Sequence, residues 1–183
     1  MTTIAWDAVN KVLLSDSQFS NERADGTITK GKYEHGKIQR TRFKTFCGRR
    51  VMAYGIAGTI QCADMMRLQF CRRMETLRLN QCRIMLVTED HQVYVFHPET
   101  GWAGYGDSLT VYIGSGANYK GGFFDRVLQD PYSGGKFWYC YSLYTKKVTK
   151  GLFQERFDNI EAERAELSLI NQQETFHPHT NYS

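Results

Sequence analysis

The order of elements in this chain predicts an α+β fold: strands, then a helix, strands again, then two helices. Three observations carry that prediction. Short apolar β-rich runs are joined by turn residues, a stretch with helical spacing interrupts them, and glycine clusters mark the passages from strand to helix. Two antiparallel sheets packed face to face with helices outside use this pattern economically, and a plain two-layer α+β domain also fits it. The 183 residues lie within the range of one compact domain, long enough to bury about 70% of the unfolded surface without a disulfide or metal.

Residues 2–6 and 11–15 are apolar runs separated by Asp7-Ala8-Val9-Asn10, which is hairpin spacing. Residues 18–36 carry Asn21, Asp25, Gly26 and Gly31 with no sustained period and read as a loop or weak edge ribbon. Residues 42–46 alternate, Gly48 turns the chain, and 51–54 form a further strand before a bend at Gly55-Ile56-Ala57-Gly58. Thr59 is placed to cap a helix in which Ile60, Ala63, Met66, Leu68, Cys71, Met74 and Leu77 recur at helical spacing. Residues 83–88 and 93–97 form another hairpin, and 109–113 a strand ending at Gly114-Ser115-Gly116. Helices are expected at 119–128 and, from an aromatic segment, at 137–144. Residues 159–173 are rich in Glu, Ala and Leu and read as helix, and 175–183 as a frayed end. No internal repeat or low-complexity linker interrupts the chain. The expected division is a domain over 2–157 and a C-terminal extension over 158–183.

The five cysteines, Cys47, Cys62, Cys71, Cys82 and Cys140, form an odd set with no Cys-x-x-Cys pair and no secretory signal ahead of them. They read as reduced core residues of a cytoplasmic protein. No apolar run approaches the roughly 20 residues of a membrane helix. The net charge of +4 is modest. A basic cluster at Lys30, Lys32, Lys37, Arg40, Arg42, Lys44, Arg49 and Arg50, with Phe43 and Phe46 interleaved, reads as a solvated strand face, so nucleic-acid binding is not expected. His35, His91, His97, His177 and His179 do not form a metal set, and no cofactor is expected. Glu99, Asp125 and Asp130 lack an identifiable partner for glycosidase chemistry.

The chemistry-bearing feature is Thr2. Once an initiator methionine is removed, it brings a hydroxyl and the α-amine onto one residue. A threonine hydroxyl is a weak nucleophile, but an adjacent α-amine with a pKa of roughly 8 can serve as its base near neutral pH. Ser15-Asp16-Ser17 ends the second strand, where an acid can orient or neutralise an ammonium, although aspartate is also an ordinary turn residue there. The bend at residues 55–59 can present N–H groups to an oxyanion. Ser115 lies between two glycines, placed to contact the amine or merely to cap a helix.

Taken together, Thr2-Thr3-Ile4, Ser15-Asp16-Ser17, Val51 through Thr59 and Ile113-Gly114-Ser115-Gly116-Ala117-Asn118-Tyr119 resemble, in order and approximate spacing, the proteasome β-subunit family of N-terminal nucleophile hydrolases. The likeness is strongest to the bacterial HslV peptidase and to small proteasome-like proteins encoded by phages, and covers residues 2–157. It implies an αββα four-layer sandwich, two antiparallel sheets between helices, and a threonine peptidase acting on peptides or unfolded proteins. It also implies a homo-oligomeric ring, served in some members by an ATP-dependent unfoldase, with the helix at 59–77 and the aromatic segment at 137–144 supplying contact surface. Thr2 would be nucleophile and, through its amine, proton acceptor; Asp16 the structural acid; Ser115 the serine touching the amine. Ile56 and Ala57, in the bend that begins at Gly55, would supply the oxyanion donor, with Tyr54 near the first specificity pocket.

Two family positions look unfilled. The lysine before an apolar-x-x-apolar strand falls on Arg42, with Lys37 or Lys44 as substitutes if the strand is bulged. The family's aspartate about four residues before a Thr-Gly pair has no counterpart in Thr145-Lys146-Lys147-Val148-Thr149-Lys150-Gly151. Those departures supply the competing expectation, an inactive proteasome-like fold that forms rings or binds a host protein.

Overall fold

A computed structural model describes residues 2–22, 24–26, 28–32, 36–58, 66 and 72–153. Two antiparallel sheets dominate it. The first sheet holds β1 (Thr3–Asp7), β2 (Val12–Ser15), β11 (Val111–Gly114), β12 (Phe137–Ser142) and β13 (Val148–Leu152), in the order β11-β1-β2-β12-β13. The second holds β5 (Ile38–Arg40), β7 (Arg49–Gly58), β8 (Cys82–Thr88), β9 (Val93–His97) and β10 (Gly101–Gly106), in the order β10-β9-β8-β7-β5, with the short β6 (Thr45–Phe46) also paired to β7. A separate ribbon joins β3 (Gln18–Glu22) and β4 (Ile28–Lys32).

The sheets face one another, and alternation along each strand decides what lies between them. Ile4 and Trp6 of β1, Leu13 of β2 and Tyr141 of β12 meet Ala53 and Ala57 of β7, Met85 and Val87 of β8 and Val93 and Val95 of β9 in one buried cluster. The alternate residues of the first sheet, Ala5, Leu14, Trp138 and Cys140, turn outward against Phe123, Phe124 and Val127 of the helix α1 (Phe123–Gln129). Phe124 packs edge-on against Trp138 at 5.8 Å between ring centroids, the offset geometry that aromatic quadrupoles favour. On the outer face of the second sheet, Tyr54, Ile56, Ile84 and Leu86 pack with Met66, Met74 and Leu77.

The opening hairpin and the 83–97 hairpin form as the sequence predicts, and of the loop or weak edge ribbon expected over 18–36 the ribbon is present as β3 paired with β4. Several expectations are corrected. Residues 137–144 are not a helix: β12 is a central strand between β2 and β13, with Trp138, Cys140 and Tyr141 at most 1% exposed. A strand buried on both faces is apolar at every position, which hides its period of two and leaves short length and aromatic content as its signals. Of that segment Tyr144, 51% exposed, keeps a large apolar surface open. Residues 55–58 do not bend but continue β7 in register with β8. The strand predicted at 42–46 lies instead at Ile38–Arg40 and Thr45–Phe46. The helix predicted at 119–128 begins only at Phe123, after a 3-10 turn at Ser115–Asn118. β10 and β13 have no counterpart in the sequence reading. Most of the helix expected at 59–77 lies outside the described residues, and its final part is a 3-10 turn at Met74–Thr76. The C-terminal helix and frayed end likewise lie outside them, as do Cys62, Cys71, His35, His177 and His179. Cys82 and Cys140 are buried, whereas Cys47 is exposed in a turn rather than in the core. No helix among the described residues is long and apolar enough to cross a membrane.

Candidate active site

β1 and β2 pair so that Ile4 stands opposite Ser15, which sets Asp16 beside Thr2 and Thr3. The Asp16 N–H donates to the Thr3 carbonyl at 3.3 Å, closing the ladder. Its carboxylate turns inward and is fully buried. Oδ2 accepts from the Gly134 N–H at 2.8 Å and the Gln18 N–H at 3.3 Å, and Oδ1 accepts from the Thr3 N–H at 3.3 Å. The Thr2 hydroxyl donates to Oδ1 as well.

Lys37 enters from the start of β5. Its ammonium lies 2.9 Å from Asp16 Oδ1, donates to the Gln18 carbonyl at 2.5 Å, and donates to Thr2 Oγ1. Thr2, Asp16 and Lys37 therefore converge on one hydroxyl in a site shielded from water. Burial pushes the Lys37 pKa down, with the Asp16 and Asp130 charges pulling the other way. Burial pushes the Asp16 carboxyl up, opposed chiefly by the Lys37 charge and the hydrogen bonds it accepts. Each group supplies part of the compensation the other needs inside a low dielectric.

A second network approaches from the opposite side of Thr2. The Ser115 hydroxyl faces the Thr2 carbonyl at 3.5 Å and donates to Asp130 Oδ2 at 2.5 Å. Ser133 donates to the same oxygen at 2.5 Å, and its Oγ lies 2.7 Å from Thr3 Oγ1. Asp130 is 2% exposed, and its Oδ1 accepts from the Tyr132 N–H at 3.0 Å. Close backbone approach makes this possible: a Cβ on Gly114, at φ +88°, would fall 1.9 Å from the Thr2 carbonyl oxygen.

Thr2, Asp16 and Ser115 are thus gathered at one end of the face-to-face sheets, whereas Arg42 is not with them. It lies in an exposed bend between β5 and β6, and the cation that reaches Asp16 and the Thr2 hydroxyl is Lys37. The strand lies at Ile38–Arg40, four residues before the predicted 42–46, and this shifts the cation from Arg42 to Lys37. Tyr54 points away, into the cluster on the outer face, where its hydroxyl meets the Met66 carbonyl at 3.5 Å. The Ile56 N–H already donates to the Lys37 carbonyl at 3.3 Å, so it is not free as an oxyanion donor. Gly55 packs its backbone against Ile4, and Ala57 lies on the inner face near Gly114. Ser133 is absent from the sequence reading, and Asp130 enters it only as an acid without a glycosidase partner. Asp130-Pro131-Tyr132-Ser133-Gly134 places an acid four residues before a glycine with a hydroxyl preceding it, and a search restricted to Thr-Gly passes over the serine version.

Among the described residues no group of three or more His, Cys, Asp or Glu side chains is arranged to hold a metal ion. No protein-family model matches the chain, and no curated protein matches it.

Proposed function

We propose that this protein is a threonine peptidase with Thr2 as the N-terminal nucleophile, built on the αββα sandwich of the proteasome-like hydrolases. The observation that carries the reading is the convergence of Asp16 and Lys37 on the Thr2 hydroxyl, with Ser115 and Asp130 bonded behind the Thr2 backbone. A surface threonine has no use for a buried acid and a buried ammonium held on its Oγ. A nucleophile does, because a cation beside the oxygen stabilises the alkoxide that develops as the proton leaves.

In this reading Met1 is removed, and the freed Thr2 amine takes the hydroxyl proton as Oγ attacks the scissile carbonyl. The tetrahedral intermediate collapses to an ester on Thr2, and the leaving amine departs with a proton. Water then hydrolyses the ester, with the Thr2 amine acting as its base. Lys37 lowers the proton affinity of the hydroxyl, Asp16 holds Lys37 in place, and Ser115 with Asp130 fixes the Thr2 backbone.

The reasons for an inactive fold were a missing lysine and a missing acid. The contacts of Lys37 with the Thr2 hydroxyl and of Asp130 with Ser115 support the active reading. Peptides and unfolded chains are the substrates expected, with the enzyme confined in a homo-oligomeric ring and fed by an ATP-dependent unfoldase.

The test is hydrolysis of a fluorogenic peptide panel by the protein and by Thr2→Ala, with intact mass establishing that Thr2 is the first residue. Turnover in the wild type that vanishes in a folded Thr2→Ala protein supports the proposal. Undiminished turnover in that variant, or a wild type that retains Met1 while active, overturns it. Light scattering reports separately on the ring.

A further inference from the structure

Arg126 lies on the α1 surface beside the turn that carries Ser115, and its guanidinium is held from several directions. Nε donates to the Gly121 carbonyl at 2.7 Å, and Nη1 donates to the carbonyls of Ala117 at 3.0 Å and Gly116 at 3.4 Å. The Tyr112 ring covers the group, 3.7 Å from its central carbon to the ring centroid. A planar fork with one face on an aromatic ring and its edge on three carbonyls is a demand only arginine meets.

The turn it grips is also closed by Asn118, whose Nδ2 donates to the Ser115 carbonyl at 3.3 Å. Ser115–Asn118 is one 3-10 turn with no side-chain hydrogen bond capping its start. The central residue is Gly116. Its N–H faces the Thr2 carbonyl at 3.5 Å, and its own carbonyl accepts from both Tyr119 N, at 3.2 Å, and Arg126. A Cβ there would lie 1.8 Å from Thr3 Oγ1, so Gly116 sits against β1 without slack. Ser115, one residue earlier, carries the hydroxyl that reaches Asp130 and the Thr2 carbonyl.

We infer that Arg126 is a positioning residue that presses the Ser115 turn against Thr2, setting the placement of the proposed nucleophile from outside the site. Its effect on turnover rests on the peptidase reading; its grip on the turn does not. The contacts of Arg126 run to Tyr112, Gly116, Ala117 and Gly121 rather than to Thr2, so its loss acts through the Ser115 turn.

The experiment uses the full chain with Arg126→Ala and Arg126→Lys, kinetics on a fluorogenic peptide, and amide hydrogen exchange. Arg126→Ala should lower kcat about ten- to hundredfold, the range expected for a displacement near 1 Å, with KM changed by less than about threefold. Arg126→Lys should not recover it, since one ammonium cannot span three carbonyls. Millimolar guanidinium added to Arg126→Ala should restore part of kcat, a rescue that a general loss of stability would not show. Amides of residues 115–121 should exchange faster in both variants while those of β1 and β12 keep their rates. Wild-type kcat in Arg126→Ala overturns the inference, and so does unchanged exchange over 115–121. If Arg126→Ala does not fold, Arg126→Lys decides by the same two measurements. A wild type without peptide turnover counts against the peptidase reading instead, and exchange then judges the grip alone, faster rates supporting it and unchanged rates overturning it.

Discussion

Lys37 Nζ lies 2.9 Å from Asp16 Oδ1 with neither group open to water, and the Thr2 hydroxyl bonds to both. Removing the lysine strands a fully buried carboxylate, which costs about 3 to 5 kcal/mol when a buried pair is broken. Lys37→Ala should therefore be strongly destabilised at pH 7 and lose peptide turnover, whereas Arg42→Ala, an exposed change, should alter neither. A folded, active Lys37→Ala protein would remove Lys37 from the site.

The same pair sets a dependence on pH. Burial raises the folded-state pKa of Asp16 above its ordinary value, so its contribution to stability is greatest in acid and is lost as pH rises through that raised pKa. Lys37 opposes the rise, and without it the carboxyl holds its proton more tightly still. The stability gap between wild type and Lys37→Ala should therefore narrow as pH falls from 7 towards 4. Urea unfolding followed by tryptophan fluorescence at several pH values checks this, and a gap independent of pH would contradict it.

Ser115 and Ser133 share Asp130 Oδ2, each at 2.5 Å. Their hydrogen bonds to a buried charge should be coupled, so a double-mutant cycle of Ser115→Ala with Asp130→Asn should show an interaction of about 1 kcal/mol or more in unfolding free energy. Strict additivity would mean that the two side chains do not communicate.

Tyr141 buries its hydroxyl between the sheets, where no partner among the described residues reaches the oxygen. Tyr141→Phe should leave the packing in place and raise stability by about 1 kcal/mol, because an unpaired buried hydroxyl is removed. Burial pushes the phenol up to about 12, with Arg40 and Arg50 pulling it back. A raised pKa favours the folded state below the ordinary tyrosine value of 10.0, and that contribution fades as pH climbs through 12. In a spectrophotometric titration Tyr141 should ionise only together with alkaline unfolding, and Tyr141→Phe should shift that unfolding to higher pH.

Gly116→Ala places a methyl group 1.8 Å from Thr3 Oγ1. The turn must lift from β1, at a cost of about 1 to 3 kcal/mol for overpacking a tight contact. Calorimetry should show the loss of stability, and the Ser115 turn should exchange its amides faster. A wild-type midpoint would show that the turn is not seated as described.

Local chemistry determined the hairpins and the first members of the site. Residues 2–6 and 11–15 are apolar runs on either side of Asp7-Ala8-Val9-Asn10, so hairpin spacing alone suggests the pairing of β1 with β2, and Asp16 follows from that register. Ser115 between two glycines was equally legible. The tertiary structure alone decided which cation reaches Thr2, because Lys37, Arg42 and Lys44 are near neighbours in sequence and only the pairing of β5 with β7 aims Lys37 inward. It decided Asp130 as well: an acid after a helix looks like an ordinary turn residue until β12 and α1 pack and bring it within reach of Ser115. It decided that 137–142 is a strand, since β12 is buried on both faces and its apolar residues carry no period by which to tell it from a helix. Sequence specifies what each segment can pair with through contacts a few residues apart; the charges, hydroxyls and carbonyls of this site lie up to 130 positions apart, as Thr3 and Ser133 do, and only packing brings them together.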